Sequence, residues 1–101
     1  MRAVLVVAIL ACSASAHADD LCRRAPRGPV LDLDVKDADI QEVFRLLTDA
    51  AKVNLVVSDE VTGKVTLKLE RVRWEEIACS VAKLEHLALE LDRNVLLVTK
   101  R

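Results

Sequence analysis

The spacing of the apolar residues changes period several times along this chain, and this change restricts the available folds most strongly. From Val30 onward apolar and charged residues alternate, which is the period of a β-strand with one buried face. From Ile40 the apolar residues recur every three or four positions, which is the period of an α-helix. Short stretches of both kinds follow to the end of the chain. The sequence therefore predicts an α+β domain in which each element buries one face.

Two helices are predicted, each with one apolar side. The first runs from about Ile40 to Lys52, and Asp39 with Glu42 has the form of a capping box at its start. The second begins near Trp74, where two acidic residues suit the positive end of the helix dipole. The residues expected on its apolar side are Trp74, Ile77, Ala78, Val81 and Leu84.

Five strands complete the predicted order β-α-β-β-α-β-β, in which two helices pack on a small mixed sheet. Beside the strand from Val30, a β-branched run at 53–57 and an alternating stretch after Gly63 are typical of strands. The last two strands form a C-terminal hairpin with its turn at 92–94. Asn94 is the expected left-handed turn residue.

The first residues are typical of a secretory signal peptide. Arg2 precedes an apolar run at 3–11, and Ala16-His17-Ala18 supplies the small residues that favour cleavage after residue 18. The apolar run is shorter than the roughly 20 residues that a membrane span requires. An alternative is that Ile9-Leu10-Ala11-Cys12 is a lipobox, which would anchor an outer-membrane lipoprotein through Cys12. We expect export to the periplasm and no transmembrane segment after cleavage.

The exported chain would contain a flexible arm at 19–29 and one domain at 30–101. The arm contains both prolines and shows no apolar periodicity. Cleavage after residue 18 leaves Cys22 and Cys79 in an oxidising compartment. A helical wheel places Cys79 about 150° from the apolar side of the second helix, so it is expected to face outward. The sequence thus suggests a disulfide between Cys22 and Cys79, with two free thiols as the alternative.

Chemistry for catalysis or cofactor binding is not visible in the exported chain. Its single histidine, His86, has no partner at metal-ligand spacing, and Gly28 and Gly63 stand too far apart to form a phosphate loop. Phe44 and Trp74 lie on inward helical positions and are not expected to stack on nucleic-acid bases. Residues 19–101 carry 14 basic and 16 acidic side chains, which gives no general attraction for nucleic acid. We expect a protein that is not an enzyme and uses no cofactor or metal.

One basic group stands out along and just after the third strand. It consists of Lys64, Lys68, Arg71 and Arg73, which we call the basic row. The functional interpretation is a partner-binding edge. The alternative is that the two lysines only face Asp32 and Asp34 across a strand pair, which would contribute at most about 1 kcal/mol per pair.

The combined motifs resemble the secretin and TonB N-terminus short domain over residues 30–100. The resemblance rests on the alternating strand that leads into Asp39-Ile40, on Asn54 to Val57, on the Val-x-Gly-x-Val-Thr motif around Gly63, and on Trp74-Glu75-Glu76. Asn54, Gly63 and Trp74 are its structural motif residues, with Asn54 expected to cap or turn the chain after the first helix. Two departures are Arg73, where the family often has proline, and His86, where it often has glycine.

The resemblance implies a non-enzymatic periplasmic module. In secretins such a domain lies at the entrance of an outer-membrane channel and docks inner-membrane components. In some TonB-dependent receptors it contacts an anti-sigma regulator. The implied partner is therefore a secretin, its inner-membrane docking components or an anti-sigma regulator, in type II secretion, a type IV pilus or a TonB-linked system. Because the sequence ends at Arg101, we expect a stand-alone domain that forms no pore by itself.

Overall fold

A computed structural model describes residues 19–101. The predicted signal peptide at 1–18, with Cys12 and the lipoprotein alternative, lies outside these residues. The elements in chain order are β1 (Asp19–Asp20), a 3₁₀ turn (Leu21–Arg23), β2 (Val30–Asp39), α1 (Ile40–Ala51), β3 (Asn54–Val57), β4 (Lys64–Arg73), α2 (Trp74–Glu85), β5 (Leu87–Asp92) and β6 (Val95–Lys100). The predicted α+β order is confirmed from β2 to β6.

The strands form two separate sheets. A four-stranded sheet has the order β1-β5-β6-β3, and a two-stranded antiparallel sheet, which we call the ribbon, consists of β2 and β4. In the larger sheet β5 and β6 form the predicted antiparallel hairpin, while β3 runs parallel to β6. The left-handed position of the hairpin turn belongs to Arg93, with φ of 61°, so the prediction for Asn94 was wrong.

Both predicted helix starts are correct, but the first is capped differently from the expected box. The Asp39 side chain accepts a hydrogen bond from the Gln41 backbone N–H at 2.9 Å and thereby caps α1. Glu42 does not return to the cap, because its carboxylate bonds Arg45 at 3.1 Å one turn later. The helix ends where Lys52 adopts the left-handed conformation, with φ of 63°.

The second helix buries a side slightly different from the predicted one. Trp74 is only 3% exposed, but Leu84 is 61% exposed, so its assignment to the apolar side was wrong. Ala82 is buried instead of Leu84, because the row of buried residues on α2 ends at the side of the helix that packs on the sheet. His86 follows the helix in the left-handed conformation, with φ of 59°. Glycine adopts that conformation without cost, which explains why glycine is common at this position.

A single core lies between the helices and the sheets. Its buried members come from the 3₁₀ turn, α1, β4, α2, β5, β6 and the loop before β4. The largest fully buried side chains are Phe44, Leu21, Ile40, Leu47, Ile77 and Leu96. Val65 of the ribbon is buried in this core, whereas the other apolar side chains of the ribbon that pack against it are partly buried. The ribbon therefore covers the core while keeping its other face in solvent.

The segment at 19–29 is not entirely without regular structure, which corrects the expectation for its first part. Asp19 and Asp20 pair with β5, and Leu21 in the 3₁₀ turn is 1% exposed and belongs to the core. A disulfide joins Cys22 to Cys79, with the two Cα atoms 5.6 Å apart, inside the roughly 7 Å that bridging permits. Cys79 is half-buried at the border of the core instead of facing fully outward.

No helix within residues 19–101 is long and apolar enough to cross a membrane.

Candidate partner-binding surface

The solvent face of the ribbon is the most strongly patterned surface of the domain. From Leu31 onward along β2, and throughout β4, the apolar side chains face the core and the residues between them are exposed. The exposed residues of β2 are mostly acidic, whereas those of β4 are mostly basic. The ribbon therefore presents an acidic strand beside a basic strand.

Two β-bulges shape this ribbon, one in each strand. The register shifts between Val35 and Ala38 on β2, where Asp37 has a φ of 54°. A second shift lies opposite the pair Leu31 and Leu33, where Arg71 on β4 has a φ of 60°. A bulge adds one residue to one strand. The inward-facing apolar residues therefore have odd numbers before each bulge and even numbers after it.

A side chain from the opposite strand holds each bulge. The Asp37 N–H donates to the Thr66 hydroxyl at 3.1 Å, and the Arg71 N–H donates to the Asp32 carboxylate at 2.8 Å. Asp32 thereby pairs the backbone group that the left-handed residue leaves unmatched. The signal for both bulges was present in the sequence as the break in alternation after Val35 and after Leu69.

The two lysines of the basic row stand along β4 opposite aspartates of β2. Lys68 is the register partner of Asp34, as the alternative interpretation expected, and Lys64 is the partner of Asp39 instead of Asp32 or Asp34. Yet the ion pairs within 4.0 Å in the described part of the chain are Arg23–Asp20 and Arg45–Glu42, and neither includes the basic row. Both lysines are exposed, so their ammonium groups are available to a partner.

Arg73 serves the fold in addition to lying in the basic row. Its guanidinium donates to the Gly28 carbonyl at 2.7 Å, and the Trp74 N–H donates to the Pro29 carbonyl at 3.0 Å. The Glu75 carboxylate completes this contact by accepting the N–H groups of Arg27 and Gly28 at 2.9–3.1 Å. These hydrogen bonds hold the C-terminal end of the arm, residues 27–29, against the first turn of α2.

The contact between the arm and α2 requires glycine at position 28, because this residue lies directly against Trp74. A Cβ atom at residue 28 would overlap the Trp74 indole ring and approach Glu75 Oε1 to 3.1 Å. The arm can thus lie flat on the ring only without a side chain at this point. No local pattern singles out Gly28 or Glu75 for this role, because the two residues lie 47 positions apart along the chain.

The remaining motif residues have structural positions. Gly63 has a φ of 127°, which few other residues adopt, and its carbonyl accepts the Ile40 N–H at 3.0 Å. Asn54 begins β3, and its N–H donates to the Asn94 carbonyl at 2.7 Å. It does not cap α1, because Lys52 already ends that helix.

Within residues 19–101 no group of three or more His, Cys, Asp or Glu side chains is arranged to hold a metal ion.

Comparison with known proteins places the chain in a family. The chain is 39% identical over 71 residues to the fimbrial assembly protein PilQ of Pseudomonas aeruginosa, a match that covers 70% of this chain. It is 30% identical over 74 residues, or 73% of its length, to the type IV pilus biogenesis and competence protein PilQ of Neisseria meningitidis. The structure matches the N0 domain of the type II secretin from enterotoxigenic Escherichia coli with a TM-score of 0.65 at 15% identity, covering 76% of this chain and 100% of that one.

The domain is a secretin N-terminal domain. Secretin N-terminal domains are periplasmic and are non-enzymatic assembly domains, which confirms that the domain is not an enzyme. The matched region is only 10% of the length of either PilQ protein. No protein-family model matches the chain.

Proposed function

We propose that this secretin N-terminal domain is an exported interaction module that binds a protein partner of a type IV pilus or type II secretion system. The partner is a secretin or one of the inner-membrane components that dock to it. The observation that carries the proposal is the basic row on the exposed face of the ribbon. Its lysines are exposed and form no ion pair with the aspartates opposite them.

The partner surface should be acidic and should lie against the ribbon. The two lysines stand on the same face of β4, four residues or about 13 Å apart with Thr66 between them, so both can reach one partner surface. The bulge at Arg71 increases the local twist and interrupts the regular ladder at this end of β4. Contact through side chains on the face is therefore favoured over simple extension of the sheet along β4.

Site-specific crosslinking in cells tests this proposal. A photo-crosslinking amino acid at Lys68 should capture a secretin or one of its docking components, identified by mass spectrometry. The same amino acid at exposed Lys52, which follows α1, should not. The variant Lys64→Glu/Lys68→Glu should suppress binding of the captured partner. Equal crosslinking from positions 52 and 68, or capture of an anti-sigma regulator instead, would contradict the proposal.

Export and anchoring are tested on the same protein by its intact mass. Cleavage after Ala18 gives a chain that begins at Asp19. Lipid attachment at Cys12 would give a longer chain with added acyl groups, which would favour the outer-membrane assembly factor anchored through that residue. The Ala16-His17-Ala18 pattern supports the first outcome.

A further inference from the structure

The larger sheet has an edge that is paired over only two of its six residues. Strand β5 runs from Leu87 to Asp92, and β6 pairs with all six of its residues on one side. On the other side β1 pairs only with Leu91 and Glu90. Within residues 19–101 no strand continues this ladder along Leu87, Ala88 and Leu89, because the chain leaves the sheet at Leu21 and enters the 3₁₀ turn.

A groove of about 580 Å³ lies along this open part of β5. Its base includes Leu87 and Leu89, each 3% exposed, and one wall is the Cys22–Cys79 disulfide. The disulfide holds the 3₁₀ turn on α2. The crosslink thereby fixes the point at which the chain turns away from β5, and within residues 19–101 no strand pairs with the edge beyond that point.

Lysine, histidine and arginine side chains line the groove. Lys83 from the last turn of α2, His86 at the helix end and Arg101 after β6 all line it. The Arg101 N–H donates to the His86 carbonyl at 3.0 Å, which brings the end of the sequence to the end of the helix. Neither Lys83 nor Arg101 lies within 4.0 Å of a carboxylate in the part of the chain that the structure describes.

The one acidic side chain among the residues that line the groove already has partners. Asp20 accepts the Cys22 N–H at 2.9 Å through Oδ1, and its Oδ2 lies 3.8 Å from Arg23 Nε. The strand that pairs with Leu91 and Glu90, β1, itself consists of two extended acidic residues. Both observations indicate that an acidic segment suits the rest of the edge.

We propose that this groove, which we call the β5 groove, binds an acidic extended segment of a partner protein. The segment adds a strand to β5 along Leu87–Leu89, and its carboxylates pair with Lys83 and Arg101. Strand addition of this kind takes its affinity from backbone hydrogen bonds and its specificity from side-chain contacts. The site belongs to the four-stranded sheet, whereas the basic row belongs to the ribbon, so it goes beyond the proposed function.

A peptide titration of the oxidised protein isolated from the periplasm tests the proposal. The probe is a short synthetic peptide of alternating valine and glutamate, and its counterpart has lysine in place of glutamate. In ¹⁵N spectra the acidic peptide should shift the amide signals of Leu87, Ala88 and Leu89, and the lysine peptide should not. An acidic peptide that is N-methylated along one edge should lose binding, because it cannot complete the ladder.

Charge reversal supplies the matched comparison. The variant Lys83→Glu/Arg101→Glu should weaken the acidic peptide about tenfold or more, from the loss of two exposed ion pairs. The variant Lys36→Glu/Lys52→Glu makes the same change in net charge away from the groove and should retain the affinity. Unshifted β5 amides, equal binding of the N-methylated peptide, or equal weakening by both variants would overturn the proposal. Crosslinking from position 68 is measured separately, so failure here is distinguishable from failure of the basic row.

Discussion

Removal of the Cys22–Cys79 bond should lower the free energy of unfolding by about 4 kcal/mol. The bond closes a loop with a sequence separation of 57 residues. In the chain-entropy treatment such a loop removes about 14 cal/mol/K from the unfolded chain, which is about 4 kcal/mol at 25 °C. Domains of this size are stabilised by only about 5–15 kcal/mol in total. We therefore expect the melting temperature to fall by about 15–30 °C.

Urea unfolding followed by tryptophan fluorescence measures this change. Trp74 is the single tryptophan and is 3% exposed, so its emission should respond to unfolding of the whole domain. The oxidised protein is compared with the same protein in reductant and with the variant Cys22→Ala/Cys79→Ala. The variant should match the reduced protein and should not respond to reductant.

Two results would contradict this reasoning. The first is an identical urea midpoint for the oxidised and reduced proteins. The second is recovery of the periplasmic protein with both cysteines alkylated under non-reducing conditions. A control at exposed Ser80, Ser80→Ala, lies beside Cys79 on α2 and should change stability by no more than about 0.5 kcal/mol.

Three further outcomes are expected. Trp74→Ala should cost about 3–5 kcal/mol because the ring is buried, and a variant that melts within a degree or two of the wild type would show otherwise. Gly63→Val should cost about 1–3 kcal/mol, since φ is 127° and a Cβ would lie 3.1 Å from Ile40 Cδ1, whereas Thr62→Val at the exposed neighbour should be nearly neutral. EDTA should leave the circular dichroism spectrum and the melting temperature unchanged, and loss of structure would reveal a metal requirement.

The regular elements were predictable because each has an amphipathic period that only one type of structure satisfies. Leu31, Leu33 and Val35 alternate with aspartates, and α1 buries residues at helical spacing from Ile40 onward. The loops were predicted less well. Arg93, not Asn94, takes the left-handed turn position, because the register of the whole hairpin places the turn and overrides the local preference of asparagine.

The periodicity of the apolar residues did not predict contacts between segments that are distant in the sequence. The sequence contains no pattern that places Leu21 in the core or Gly28 on Trp74, since each depends on how the arm crosses an already folded α2. The basic row was found because its members share one strand. The β5 groove was missed, since Lys83 and Arg101 come from different elements and meet only after the sheet has formed.

The position of β6 has a consequence for when folding can occur. This last strand lies in the interior of the four-stranded sheet, between β5 and the parallel strand β3, so neither neighbour has its full set of partners before residues 95–100 are available. The pairing of Asn54 with Val95 is also non-local, and contacts of this kind slow folding because a long loop must close first. A growing chain therefore cannot build the sheet segment by segment during synthesis. The four-stranded sheet therefore reaches its full set of pairings only once residues 95–100 have been synthesised.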